Sequence, residues 1–140
     1  MDTLTPAERS ERMARVRGRD TKPEIAVRKL LFSMGYRYRL HDKLLPGTPD
    51  IVLPSRRKII LVHGCFWHRH SGCRLARMPK SRKAFWSAKL ENNRLRDGRV
   101  KSRLRRLGWS VATVWECRLA DMTRLEKRLR RFLESGNMNA

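Results

Sequence analysis

The chain has 140 residues, with 34 Lys or Arg against 13 Asp or Glu, so its formal net charge is +21. A domain of this size can bury a core, and an apolar content of 40% supplies one. The charge excess argues against a neutral metabolic enzyme and indicates a polyanionic partner, with nucleic acid as the first candidate. A membrane surface is the alternative, but there is no run of about 18 apolar residues. With no apolar secretory segment either, we expect no membrane partner and a cytoplasmic, nucleoid-associated protein.

Two helices are predicted at the start of the chain. Thr5-Pro6-Ala7-Glu8 has the form of a capping box with proline at the first helical position, which predicts a basic N-terminal helix or arm over residues 1–20. Thr21-Lys22-Pro23-Glu24 repeats the pattern. Apolar residues at helical spacing follow it until Gly35, namely Val27, Leu30, Leu31 and Met34. This second helix is expected to pack on a sheet.

Three strands are predicted next. Residues 36–40 alternate apolar and basic side chains, which is typical of a strand with one solvated, positive face. Residues 50–53 and 58–62 predict two strands joined by a tight turn over residues 54–57. The strand over 58–62 is apolar enough to be buried on both faces.

The second half of the chain predicts a crossover unit. A long helix is expected from Ser81 to Leu107, with a kink at Gly98, followed by a strand over residues 109–115. A strand, a helix and a strand in this order make the strands over 58–62 and 109–115 parallel neighbours with a right-handed connection. The positions expected to be buried on the long helix are Phe85, Ala88, Val100, Leu104 and Leu107.

A last helix is expected to close the fold over the sheet, before a frayed tail over residues 136–140. Its predicted core positions are Leu125, Leu129, Phe132 and Leu133. The predicted fold class is α/β, a small mixed β-sheet flanked by helices. No repeat or linker divides the sequence, so residues 1–140 are predicted to form a single domain.

Cysteine and histidine cluster in an irregular loop over residues 64–80. Three cysteines without an export signal do not indicate a disulfide framework. Cys65, His70 and Cys73, joined by Cys117, would complete a Cys₃His zinc site that gives this loop one shape. The spacing equally allows His68 in place of His70. The alternative is that the cysteines are small buried hydrophobes and the histidines are solvated.

Asp50 begins the strand over 50–53, and His63 ends the neighbouring strand. If the hairpin pairs as predicted, the two residues meet at one end of the sheet. A carboxylate there can hold Mg²⁺ in contact with a phosphate, and a nearby histidine can take a proton from an attacking water. An aspartate after proline is commonly a turn former, but its position beside the histidine cluster favours the functional interpretation.

Together these motifs resemble the very-short-patch-repair (Vsr) mismatch endonucleases, a branch of the restriction-endonuclease-like nucleases. The resemblance runs from about Ser10 to Cys117. Its most specific parts are the strings His63-Gly64-Cys65-Phe66-Trp67-His68 and Trp115-Glu116-Cys117. Further matches are Arg19-Asp20-Thr21, Leu45-Pro46-Gly47, Pro49-Asp50, Phe85-Trp86 and Arg96-Asp97.

The resemblance implies an endonuclease that nicks one DNA strand 5′ to the thymine of a T·G mispair arising from 5-methylcytosine deamination, and so initiates very short patch repair. It implies that Asp50 binds catalytic Mg²⁺, with the backbone of Val62, which stands where the family pattern has threonine. It implies that His68 acts on the attacking water, with support from His63 and Glu24. It assigns structural zinc to Cys65, His70, Cys73 and Cys117. The DNA-binding residues that it implies are Met13, Phe66, Trp67, Trp86, Lys89 and Asn93.

Aromatic side chains on a zinc-pinned loop can act as wedges that enter a base step. Phe66, Trp67 and Trp86 would be ordinary core residues in the alternative interpretation. Their neighbours are too basic for all of them to be buried, namely Arg69, Arg74, Arg77, Lys80, Arg82 and Lys83.

The expected partner is double-stranded DNA with a T·G mismatch, bound by a monomer, and a mismatch-repair protein is a further candidate partner. Two alternatives remain open: a zinc-stabilised DNA-binding module without cleavage, and a restriction-type endonuclease on matched DNA. Metal-dependent turnover distinguishes the enzyme from the module. A comparison of mismatched with matched duplexes distinguishes the two kinds of enzyme.

Overall fold

The computed structural model describes residues 20–136. The predicted helix or arm over residues 1–20, including Met13, lies outside this range except for Asp20, and so does most of the predicted tail. Helix α1 is Lys22–Ser33. Its N-cap is Thr21, whose Oγ1 accepts a hydrogen bond from the Glu24 N–H at 3.3 Å, as predicted from the capping pattern. Gly35, at φ +93°, follows the end of the helix in the left-handed conformation that glycine adopts without strain.

Four strands form one sheet in the order β1-β2-β3-β4. Strand β1 is Arg39–Leu40, β2 is Ile51–Leu53, β3 is Lys58–His63 and β4 is Ser110–Trp115. The first three pair antiparallel, and β3 pairs parallel with β4 from Lys58↔Ser110 to His63↔Trp115. The mixed sheet and the parallel neighbours are therefore confirmed.

The first strand is shorter than the five residues predicted. Strand β2 offers it only three residues before Pro54 begins a 3₁₀ turn. Tyr36 instead turns into the core, where its hydroxyl bonds to the carboxylate of Glu134. A period of two in the sequence therefore extends beyond the ladder that the neighbouring strand can support.

Helix α2 is Lys83–Arg106 and continues without interruption through Gly98. Of its predicted core positions, Leu104 is buried and Val100 is partly buried. Three are wrong, because Phe85 is 44% exposed, Leu107 is 53% exposed and Ala88 is also exposed.

The error has a structural reason. Leu90, Asn93 and Leu104 are the buried residues of α2, and the first half of the helix contacts the loop after β3 rather than the sheet. Leu107 lies at the C-terminal cap, where its carbonyl accepts a hydrogen bond from Arg57 at 2.7 Å while its side chain points outward.

Helix α3 is Met122–Glu134, and Asp121 caps it through a hydrogen bond from the Arg124 N–H at 3.0 Å. Its predicted core positions Leu125, Leu129 and Leu133 are buried, and Phe132 packs beside them. Burial of each leucine contributes about 1.5–3 kcal/mol.

The core has two parts, one on each face of the sheet. Helices α1 and α3 pack on the face that includes Ile51, Ile60 and Val114, whereas α2 packs on the face that includes Val52 and Ile59. The predicted α/β class, with a small mixed sheet flanked by helices, is confirmed. No helix within residues 20–136 combines the length and apolar character needed to span a bilayer.

Candidate active site

A cavity of about 650 Å³ lies where α1, the loop before β2, the end of β3 and the middle of α2 meet. All four catalytic residues predicted from the sequence line it, although they come from three different segments of the chain. These residues are Glu24, Asp50, His63 and His68. The structure thus brings together the groups that the resemblance placed in one site.

Asp50 is fixed by the β2–β3 hairpin. Its Oδ2 accepts a hydrogen bond from the Val62 N–H at 2.9 Å, whereas its Oδ1 accepts none from residues 20–136. Burial raises the pKa of the Asp50 carboxyl to about 6, and the negative charge of Glu24 adds to this. The hydrogen bond from Val62 and the charges of His41 and His68 act in the opposite direction. The result is a partly desolvated carboxylate with one oxygen held and the other available to a cation.

Glu24 is almost completely buried, at 2% exposure. Its Oε1 lies 2.5 Å from Nε2 of His41 and 3.0 Å from the guanidinium of Arg28. Its Oε2 accepts a hydrogen bond from the Asp20 N–H at 2.7 Å. Three groups therefore compensate the burial of this charge.

The two histidines of the cavity form a stacked pair. The rings of His63 and His68 lie 3.9 Å apart and within 6° of parallel. Nδ1 of His68 lies 2.6 Å from Oδ2 of Asp97, on α2. If the neutral His68 ring donates a hydrogen bond from Nδ1–H to Asp97, its free lone pair is on Nε2. Nε2 can then accept a proton.

His63 is the buried member of this pair. Burial lowers the pKa of His63 to about 3, and the neighbouring charge of His68 contributes. Its Nδ1 has no hydrogen-bond partner among the described residues. His63 is therefore a neutral ring with one unsatisfied polar atom in the wall of the cavity.

The proposed zinc ligands converge as predicted. Ligand atoms of Cys65, His70, Cys73 and Cys117 all lie within 4.8 Å of one another, and the three cysteines form no disulfide. The His70 ring stacks on Trp115 at 4.1 Å, and its Nδ1 lies 3.5 Å from Sγ of Cys117. Three thiols and one imidazole are the donors of a structural zinc site, so the cluster can hold that metal.

The two histidines that the spacing had left open lie in different places. His68 bonds to Asp97 and lines the cavity, whereas His70 belongs to the thiol cluster. Burial raises the pKa of the Cys65 thiol to about 12, so a thiolate at this position requires a neighbouring cation.

Aromatic rings form the outer wall beside the cavity. Phe66 contacts Trp67 and Trp86 edge-on, with ring centres 5.1 and 5.5 Å apart. All three rings are only partly buried, so they are not ordinary core residues. Asn93 is buried, and its Nδ2 donates a hydrogen bond to the Trp67 carbonyl at 3.1 Å.

The other residues predicted to contact DNA are Lys89, Asn93 and Met13. Lys89 is partly buried, and its Nζ lies 5.8 Å from the centre of the Phe85 ring. Oδ1 of Asn93 accepts a hydrogen bond from Arg96 at 2.7 Å, so both ends of this amide are engaged within the protein. Met13 lies outside the described residues.

Comparison with known proteins decides the family. Residues 1–74 match the family model described as DNA mismatch endonuclease Vsr. The chain is 56% identical over 133 residues to the type II nicking enzyme V.XorIIP of Xanthomonas oryzae pv. oryzae. This alignment covers 95% of this chain and 97% of that protein. It is 43% identical over 124 residues to the DNA mismatch endonuclease Vsr of Escherichia coli strain K12, in an alignment that covers 89% of this chain and 79% of that protein.

The chain belongs to the Vsr family. The predicted resemblance is thereby confirmed, and the chain is a DNA endonuclease. The type II nicking enzyme V.NmeAIP of Neisseria meningitidis is a further relative, 41% identical over 94% of each chain.

Three residues that contact site residues of this Vsr-family chain were not identified from the sequence. Asp97 was part of a matched motif but had no role, His41 was the one histidine outside the cluster, and Glu116 accepts the Cys65 N–H at 3.3 Å. Asp97 and Glu116 both lay in matched strings, and Asp97 also lies four residues after Asn93 and thus on the same helix face, whereas His41 carried no sequence signal.

Proposed function

We propose that the chain nicks one strand of duplex DNA 5′ to the thymine of a T·G mispair arising from 5-methylcytosine deamination, in a Mg²⁺-dependent reaction that initiates very short patch repair. One observation carries this proposal. The cavity that contains Glu24, Asp50, His63 and His68 is also lined by Phe66 and Trp67. A site that hydrolyses a phosphodiester therefore adjoins rings that can enter a base stack.

The residues fit a magnesium ion. Asp50 has one carboxylate oxygen without a partner among residues 20–136, and Val62 lines the same cavity and can offer its backbone carbonyl. When bound, the cation stabilises the negative charge that develops on the phosphate. The valine side chain at position 62 does not affect a ligand supplied by the backbone.

His68 is the proton acceptor in this proposal. As a water oxygen attacks phosphorus, the bond from phosphorus to the leaving sugar oxygen breaks, and that oxygen takes a proton from solvent. Nε2 of His68 takes the proton of the attacking water, and Asp97 stabilises the resulting imidazolium through Nδ1–H. His63 supports the His68 ring by stacking, and it adds no charge because burial keeps it neutral. Glu24 supports the Asp50 side of the cavity.

Mismatch recognition is assigned to the aromatic rings. A T·G pair stacks less firmly than its neighbours, so insertion of Phe66, Trp67 and Trp86 costs only a few kcal/mol, offset by stacking on the bases. Zinc held by Cys65, His70, Cys73 and Cys117 would give their loop a fixed shape before DNA arrives. Met13, Lys89 and Asn93 are proposed to contact the mispair.

The net charge of +21 supports salt-sensitive binding to the DNA backbone. We propose that the protein binds as a monomer and is associated with the nucleoid. Names of relatives support the nick: V.XorIIP and V.NmeAIP are called type II nicking enzymes, and the Escherichia coli relative a DNA mismatch endonuclease. The antiparallel hairpin followed by a helix and a parallel strand supports the restriction-endonuclease-like fold. A mismatch-repair protein is a further proposed partner.

A nicking assay tests the proposal. Labelled duplexes that differ only in one T·G, G·C or A·T pair are incubated with the protein, with Mg²⁺ or with EDTA. We expect one cut, 5′ to the mispaired thymine, only with T·G and Mg²⁺. Asp50→Asn should abolish the cut and retain binding. Equal cutting of both strands in matched DNA would instead establish a restriction-type activity, and unimpaired cutting by Asp50→Asn would refute the role of that carboxylate.

A further inference from the structure

His41 connects the two acidic residues of the cavity. We propose that it is a positioning residue, which holds the Glu24 carboxylate and the start of β2 in the arrangement that strand cleavage requires. This inference rests on the proposed function, because it concerns the same site. His41 itself does not line the cavity and is not assigned a contact with DNA.

The contacts of His41 run in two directions. Its ring Nε2 lies 2.5 Å from Oε1 of Glu24, and its backbone N–H donates a hydrogen bond to the carbonyl of Asp50 at 3.1 Å. The side chain is 11% exposed. One residue thus bonds to the carboxylate on α1 and to the backbone of the residue proposed to bind Mg²⁺.

The backbone of His41 is unusual. Its φ is +49°, a left-handed conformation that side-chain-bearing residues rarely adopt. It lies directly after β1, where the bond from its N–H to Asp50 extends the ladder Leu40↔Ile51 by one rung. This turn sends the ring back toward α1 instead of along the strand.

The same neighbourhood is not a second cation site. Ligand atoms of Asp20, Glu24 and His41 lie within 4.8 Å of one another. However, the guanidinium of Arg28 already bridges the two carboxylates, at 2.5 Å from Asp20 and 3.0 Å from Glu24. Since Arg28 supplies the positive charge, the contribution of His41 is a directed hydrogen bond rather than a metal ligand.

The direction of that bond matters. The charge of Glu24 raises the pKa of Asp50, so the two carboxylates lie close enough to repel each other. Arg28 and the Asp20 N–H hold Glu24 from the side of its own helix, whereas His41 holds it from the side of β2. Without the His41 ring, Glu24 keeps its contacts with Arg28 and with the Asp20 N–H. It loses the contact on the side of β2, which orients its carboxylate relative to Asp50.

The test compares His41→Leu with His41→Gln, because glutamine retains an N–H donor and leucine does not. Tyr38→Phe is the matched control, since it removes a hydrogen bond between the same two segments, from the Tyr38 hydroxyl to the Arg28 carbonyl at 3.1 Å, without touching Glu24. For each protein we measure the single-turnover nicking rate at saturating T·G duplex, the duplex affinity in EDTA, and the thermal midpoint.

We expect His41→Leu to slow nicking by about 10–100-fold, the usual cost of losing a residue that orients a metal or catalytic group. Duplex affinity in EDTA should not change. His41→Gln should recover most of the rate, and Tyr38→Phe should nick like the wild type.

Two results would overturn the inference. One is a wild-type rate in His41→Leu. The other is a parallel loss of rate, duplex affinity and thermal midpoint in His41→Leu and His41→Gln alike, which indicates a role in folding only. A wild-type protein that cuts another duplex but not T·G refutes the proposed function alone, and the same comparison on that duplex then decides the role of His41.

Discussion

Asn93 should contribute to stability before any DNA is bound. It is 7% exposed, and its amide bonds to the Trp67 carbonyl at 3.1 Å and to Arg96 at 2.7 Å. Asn93→Ala removes the donor to a partly buried carbonyl, which costs about 1–3 kcal/mol. In a chain of this size each kcal/mol lowers the thermal midpoint by roughly 4 °C, so we expect a fall of about 4–12 °C.

The chain offers a matched control one position away. Asn92 lies on the same helix and is exposed, so Asn92→Ala should leave the midpoint unchanged. Lys89→Ala should weaken binding of a T·G duplex without a large change in stability, because the Lys89 side chain makes no hydrogen bond within the described part of the chain and contacts only the exposed Phe85 ring. Circular dichroism melts without DNA and fluorescence anisotropy with a labelled duplex give both quantities.

The contrast between the variants is decisive. If Asn93→Ala melts like the wild type but loses affinity for T·G, the bond to Trp67 has no energetic weight and Asn93 acts on DNA alone. If Asn93→Ala has a lower thermal midpoint and a lower affinity for the T·G duplex, but binds matched DNA like the wild type, the amide holds the aromatic loop in the shape that the mispair requires.

Two further outcomes are expected. Cys117→Ser should lower the zinc content measured by plasma emission spectrometry and lower the thermal midpoint, because it removes one of four converging ligands; a full equivalent of zinc in the variant would contradict the assignment. Asp97→Asn should slow single-turnover nicking by about 10–150-fold, since a hydrogen bond to a charged group contributes about 1.5–3 kcal/mol and each 1.36 kcal/mol is tenfold in rate. Unchanged nicking by that variant would show that His68 needs no carboxylate.

Local sequence patterns predicted most of the framework. Capping at Thr21, the hairpin over β2 and β3 and the apolar repeat of α3 are each decided by neighbours within a few residues. The convergence of the cysteines and His70 was also predictable, because cysteine and histidine that cluster in sequence without a disulfide framework are typical ligands of a structural metal. The contacts of His41 and Asp97 were not predictable, since they join residues 17 and 29 positions apart through the fold.

The misassigned face of α2 explains how the site is assembled. Buried and partly buried residues recur on one stripe of this helix at spacings of three and four, namely Trp86, Leu90, Asn93, Asp97, Val100 and Leu104. The prediction followed apolar residues only, so it passed over Asn93 and Asp97 and placed Phe85, Ala88 and Leu107 in the core. Polar residues on a buried helix stripe break the usual pattern, and such breaks are expected where function requires them.

That stripe couples the two halves of the proposed reaction. Asn93 holds the backbone of Trp67, and one turn later Asp97 holds the ring of His68. Because an α-helix is stiff over one turn, the spacing between the wedge and the proton acceptor is fixed by the helix rather than by the loop that carries both. In the proposed reaction, a mispair that admits the aromatic rings would therefore place its phosphate at a set distance from His68, whereas a matched pair that resists them would not reach that position.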